Sequence, residues 1–160
     1  MMLKRRYRLL KCLFVTIGVV FFLLLRLQQR CINSWKAAAD KNRALFLLMN
    51  QWVYRKQEGK NLQIYFDKNN YKRIAIYGMG DVGLRLVKEL EHSGIDIVYG
   101  IDRNAPNIQS DIRMVKPNDE LDAVDTIIVA LIGGFDEVFD VLSQKIDCPI
   151  IAIEDILNEI

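Results

Sequence analysis

The chain has 160 residues, 51% of them hydrophobic, and 22 Lys and Arg stand against 20 Asp and Glu for a net charge of +2. That apolar content excludes a disordered chain, and the balanced charge gives no general case for nucleic acid as a partner. Cys12, Cys31 and Cys148 form no C-x-x-C pair, zinc spacing or disulfide framework, and a lone His92 cannot anchor a multi-histidine site, so no metal is expected. The thiols read as reduced and structural, as in a cytosolic domain.

The length allows one domain with an appendage. Three segments are expected: residues 1–33 as a basic segment with a hydrophobic anchor helix, 34–70 as an amphipathic helical lead-in, and 71–160 as an α/β domain. Residues 12–25 carry no charge. Fourteen helical residues reach about 21 Å. Counting from Leu9 and tolerating Lys11 gives about 17, the lower bound for a span. Lys11 and Arg26 can snorkel to the two interfaces. The stretch after Leu25 is bulky and basic and lacks the small residues of a signal-peptidase site, so residues 9–27 read as an uncleaved membrane anchor, single-pass or monotopic. Five basic residues precede the apolar run (Lys4, Arg5, Arg6, Arg8, Lys11) and five follow it (Arg26, Arg30, Lys36, Lys41, Arg43), so charge does not orient the anchor. The cytoplasmic side is preferred for the domain because its ligand class belongs there.

Over 34–57, Trp35, Ala38, Leu45, Leu48, Met49, Trp52 and Val53 recur at helical spacing, with Lys and Arg on other faces. Gly59 stops this helix. Such a stripe serves either the domain's own core or a partner helix, the latter being a homodimer or a glycan-synthesis enzyme. Self-association through Leu45, Met49 and Trp52 is the expectation. A short helix over Leu62–Asp67 follows and ends at Asn69-Asn70.

From Tyr71 the pattern alternates strand and helix. Strands are expected at Arg73–Tyr77, Ile95–Ile101, Ile112–Val115, Thr126–Ile132 and Pro149–Ile153. Helices are expected at Asp81–His92, Phe135–Lys145 and Glu154–Ile160. Phe135, Val138, Phe139 and Leu142 would face inward. The fully apolar fourth strand is what a buried parallel strand looks like. Right-handed crossovers give the order 3-2-1-4-5.

The chain's principal motif follows the first strand: Gly78-Met79-Gly80-Asp81-Val82-Gly83. Strand, glycine turn and helix are the context that gives G-x-G-x-x-G a meaning. Gly78 turns the chain, Gly80 admits a pyrophosphate to the backbone, and Gly83 lets the helix pack on the sheet. The free N–H groups of the helix start would face the phosphates. Asp102 ends the second strand 24 residues after Gly78, near the spacing of a ribose-binding carboxylate. Arg103 beside it leaves the choice between NAD and NADP open. Leu131, Gly133 and Gly134, after the fourth strand, complete the candidate set. Asp81 departs from the dinucleotide pattern: a carboxylate beside a phosphate repels it by about 1 kcal/mol at 4 Å in water. Its other role is to charge or cap the helix N-terminus.

At Ile74–Gly83, Gly100-Ile-Asp-Arg-Asn104 and Cys148–Asp155 the chain resembles the small Rossmann-like nucleotide-binding domains of bacterial cell-surface polysaccharide biosynthesis proteins, which are nucleoside-diphosphate-sugar epimerase-like. The resemblance covers residues 45–158 and omits the anchor. It implies that Gly78, Gly80, Gly83 and Asp102 hold a nucleotide, NAD(P) or a nucleotide-sugar, in an accessory module of glycan synthesis, which residues 9–27 would anchor to a membrane. Similar acidic glycine loops occur in ATP-grasp N-terminal domains, where dinucleotide binding is not implied. A non-catalytic interaction scaffold and a small oxidoreductase or epimerase are the alternatives. No Tyr-x-x-x-Lys pair follows the fourth strand and His92 falls at the far end of its helix, so no catalytic set is assigned. Asp119, Glu120, Asp122 and Asp125 read as a solvated connection.

Overall fold

The computed structural model describes the backbone of residues 2–160 and the side chains of 17–160. The elements in order are helix α1 (Met2–Gln57), α2 (Gln63–Lys68), strand β1 (Arg73–Tyr77), α3 (Asp81–Leu90), β2 (Asp96–Ile101), a 3-10 turn (Ala105–Asn107), β3 (Met114–Val115), β4 (Thr126–Val129), α4 (Phe135–Leu142), β5 (Ile150–Ala152) and α5 (Ile153–Glu159). The chain divides into two compact units, Met1–Arg43 and Ala44–Ile160.

Where two helices were expected in the first 57 residues, one runs through. No proline falls in it and its one glycine is Gly18, so nothing interrupts the hydrogen-bond ladder. In the first unit Ile17 to Leu27 expose many large apolar side chains, and the Arg26 guanidinium lies over the Phe22 ring at 4.9 Å. Residues 9–16 of the anchor stretch lie outside the described side chains. Among the described residues, no helix is long and apolar enough to cross a membrane.

In the second unit five parallel strands form one sheet in the order β3-β2-β1-β4-β5, as the alternating pattern predicts. Its faces are separated by the two-residue period of β1 and β4. Ile74, Ile76 and Ile128 face one core with α2, α3, α5 and the end of α1; Ala75, Tyr77, Ile127 and Val129 face the other, covered by α4. Ile74 pairs with Ile97 but Ala75 pairs with Tyr99, so Val98 is an extra residue in β2. The bulge puts Tyr99 on the α4 face. There burial pushes its phenol up to about 12, and its hydroxyl donates to the Asp122 carbonyl at 2.7 Å.

The stripe of α1 serves the chain's own core. Leu48 and Trp52 are buried, and Leu45 and Met49, partly buried, pack against the same cluster. Phe46, Leu47, Val53 and Tyr54 form the exposed side of this stretch. Glu89 of α3 locks the contact: it accepts from Trp52 Nε1 at 2.5 Å and Leu62 N at 3.0 Å and pairs with Lys56 at 3.2 Å. Phe139, expected inward, is 43% exposed, because Val138 and Leu142, with Phe135 partly buried beside them, face the sheet; the Phe139 ring lies 6.0 Å from that of Phe135. Several elements are shorter than expected. β4 stops at Val129, where Leu131 begins the turn to α4, and β3 is two residues long.

The acidic connection has work inside the fold. Asp125 Oδ2 accepts from Lys72 N at 2.7 Å and Arg73 N at 2.8 Å, tying the start of β4 to the start of β1. Asp119 Oδ2 accepts from Lys116 N at 2.8 Å, and Asp122 pairs with Arg113.

Candidate functional site

The carboxyl ends of the strands are held level by backbone bonds. Gly78 N donates to Ile101 O at 2.8 Å, Ala130 N to Tyr77 O at 2.8 Å, and Asp102 N to Val115 O at 3.0 Å. The glycine loop springs from this edge. Gly78 has φ +91°, which side-chain-bearing residues rarely adopt, and a Cβ there would also press on Leu131 Cδ2 at 2.5 Å and the Ala130 carbonyl oxygen at 3.2 Å. At Gly83 a Cβ would lie 2.2 Å from the Gly78 carbonyl oxygen. This contact sets how closely α3 approaches β1. Gly80 differs: it caps α3, is exposed, and a Cβ would meet nothing within 4 Å. The first N–H groups of α3, from Asp81 to Gly83, have no helical carbonyl four residues before them. Asp81 is exposed in that first turn and its side chain makes no capping bond, so it acts on the helix through charge alone.

Asp102 is half-buried at the end of β2. Its Oδ2 accepts from Met79 N at 2.9 Å and its Oδ1 from Asn104 N at 2.8 Å. The carboxylate therefore ties the glycine loop to the next strand end and orients it. Each oxygen retains one lone-pair direction. Met79 is buried, with its thioether across Gly100: a Cβ on Gly100 would stand 2.9 Å from Met79 Sδ and 2.8 Å from Met114 Sδ. Both the N–H and the side chain of Met79 are thus committed within the fold. Val82 is buried in the core below.

Gly78, Met79, Gly80, Asp102 and Leu131 come together at one strand edge. Gly133 and Gly134 form the turn into α4. The acids Asp136 and Glu137 occupy the first turn of α4, where an anion would otherwise sit. His92 is exposed in the turn after α3, before β2 begins, away from this edge. Glu154, in the first turn of α5, has its carboxyl pushed up by burial.

Arg103 lines an open cleft of about 440 Å³ with Tyr77, Lys116, Asn118, Glu137 and Val141. This cleft lies over the ends of β1, β2 and β3 on the α4 side of the sheet. Of its lining, only Arg103 belongs to the set expected from the sequence. Lys116 was within reach of the same reasoning, since it follows β3 as Arg103 follows β2, and ligands of parallel sheets gather at strand carboxyl ends. Among the described residues, neither Arg103 nor Lys116 forms an ion pair.

No family model, no curated protein and no solved structure matches the chain.

Proposed function

We propose that residues 44–160 are a Rossmann-like nucleotide-binding accessory module whose ligand is NAD(P) or a nucleotide-sugar. The observation that carries this reading is the difference between the three loop glycines. Gly78 and Gly83 have packing reasons to lack a side chain, and Gly80 has none. An open glycine at the start of a helix with unpaired N–H groups lets a pyrophosphate reach the backbone. Asp102, already oriented by two N–H groups, keeps acceptor capacity for a ribose hydroxyl. The sequence resemblance supports a role in cell-surface glycan synthesis. The apolar length of residues 9–27 supports attachment to a membrane, with the module on the cytoplasmic side where such ligands occur.

Calorimetric titration of the full chain in detergent with NAD, NADP, UDP-sugars and CDP-sugars tests the reading. One of them should bind, and Gly80→Val should abolish binding while lowering the melting temperature by only a few degrees, the cost of a poorer helix cap. Binding that survives Gly80→Val would remove the ligand from the loop. A second reading is favoured by the same carboxylate. If Asp102 serves only to hold Met79 and Asn104, the module is an interaction scaffold. In that case no nucleotide binds at millimolar concentration, and Asp102→Ala alters stability alone.

A further inference from the structure

We propose that the cleft between the β3–β4 connection and α4 is a separate site for a phosphorylated sugar. Arg103 and Lys116 bring two cationic heads to one open cleft at adjacent strand ends. Three acids near them in the chain already hold partners of their own, Asp119 on the backbone N–H of Lys116 itself. Asp102 accepts from Met79 N and Asn104 N, Asp119 accepts from Lys116 N, and Asp122 pairs with Arg113. The two cations thus remain available for an anion. Arginine presents a planar fork that bonds two phosphate oxygens, and lysine adds a compact charge.

The rest of the lining defines what the phosphate is attached to. Asn118 and Glu137 offer hydrogen-bond partners for hydroxyls, and the two cations outnumber the one carboxylate of the lining. Val138, Val141 and Pro117 give an apolar wall for the carbon face of a ring, with buried Tyr77 behind. The volume falls within the range of small-molecule sites and suits a pentose or hexose monophosphate. The site uses the α4 side of the sheet and no loop glycine, so it stands whether or not the glycine loop binds a nucleotide.

The test titrates the full chain in detergent, at low salt, with ribose 5-phosphate, inorganic phosphate and ribose. Ribose 5-phosphate should bind saturably in the millimolar range or tighter, ribose should not bind, and inorganic phosphate should bind more weakly than the sugar phosphate. Lys116→Gln and Arg103→Gln should each weaken ribose 5-phosphate binding at least about tenfold. Both residues are exposed, so these variants keep the fold, which unchanged melting confirms. Gly80→Val should leave this binding intact even where it abolishes nucleotide binding. No saturation by about 10 mM, roughly the weakest affinity a built site would show, would overturn the proposal. So would equal affinity for inorganic phosphate, unchanged affinity in Lys116→Gln, or loss of binding in Gly80→Val.

Discussion

Gly83→Ala is the sharpest test of how the loop is built. The added Cβ would stand 2.2 Å from the Gly78 carbonyl oxygen, while ordinary contact begins at 3.4 Å, so one backbone must move by 1.2 Å. Neither partner is a flexible side chain. One is the first turn of a helix packed on the sheet; the other is a strand end held by Gly78 N to Ile101 O at 2.8 Å. Overpacking of this kind costs about 1–3 kcal/mol, and rigid backbone on both sides puts it at the upper end. Alanine returns about 1 kcal/mol through helix propensity. The net loss is about 2 kcal/mol, which for a domain of this size lowers the melting temperature by about 8 °C. Gly80→Ala is the matched control. Its Cβ meets nothing within 4 Å, so only a cap preference of about 0.5 kcal/mol is lost, or about 2 °C. Thermal unfolding followed by circular dichroism measures both. Equal shifts in the two variants, or a Gly83→Ala protein that melts with the wild type, would refute the close approach and the division of labour built on it.

Glu89→Ala should destabilise by about 2 kcal/mol in urea denaturation, because the half-buried Trp52 Nε1–H and Leu62 N–H lose their acceptor; a loss under about 0.5 kcal/mol would show the carboxylate to be incidental. The backbone N–H groups of Arg73 and Lys72 hold the Asp125 carboxyl below its ordinary 3.8. A depressed acid stabilises the fold above its unfolded pKa and loses that contribution as pH falls through the folded value. Asp125→Asn should therefore flatten the stability profile below about pH 4 and leave its slope between about 5 and 7 unchanged, with an effect under about 1 kcal/mol because the group is exposed. An unaltered acid limb would contradict the assignment. Burial, with the Asp147 carboxylate adding to it, pushes the Cys148 thiol up, whereas Cys31 is exposed. Iodoacetamide near neutral pH should modify Cys31 before Cys148 and reach Cys148 at full rate only after denaturation, as peptide mass spectrometry would show; equal rates for these two in the native protein would not fit.

The sheet order was legible because apolar runs of strand length alternate with helical spacing, and parallel strands admit few right-handed connections. The glycine loop was legible because its spacing follows a strand and opens a helix, whereas only the fold shows that Gly78 and Gly83 answer a steric demand and Gly80 does not. Asp102 was placed correctly at the end of β2. Its bonds to Met79 N and Asn104 N were not, since they join residues brought together only when β1 and β2 pair. The α1 stripe shows the same limit. Helical spacing marks Leu45, Leu48, Met49 and Trp52 as one face, but own core and partner surface have the same period. Docking against α2, α3 and α5 decided for the core. The acids from 119 to 125 look alike as sequence, and only the fold gives Asp125 two backbone donors on a neighbouring strand. The cleft around Arg103 and Lys116 is of this second kind. Local periodicity specifies which residues share a face, while a cavity depends on where chain segments far apart in sequence come to rest.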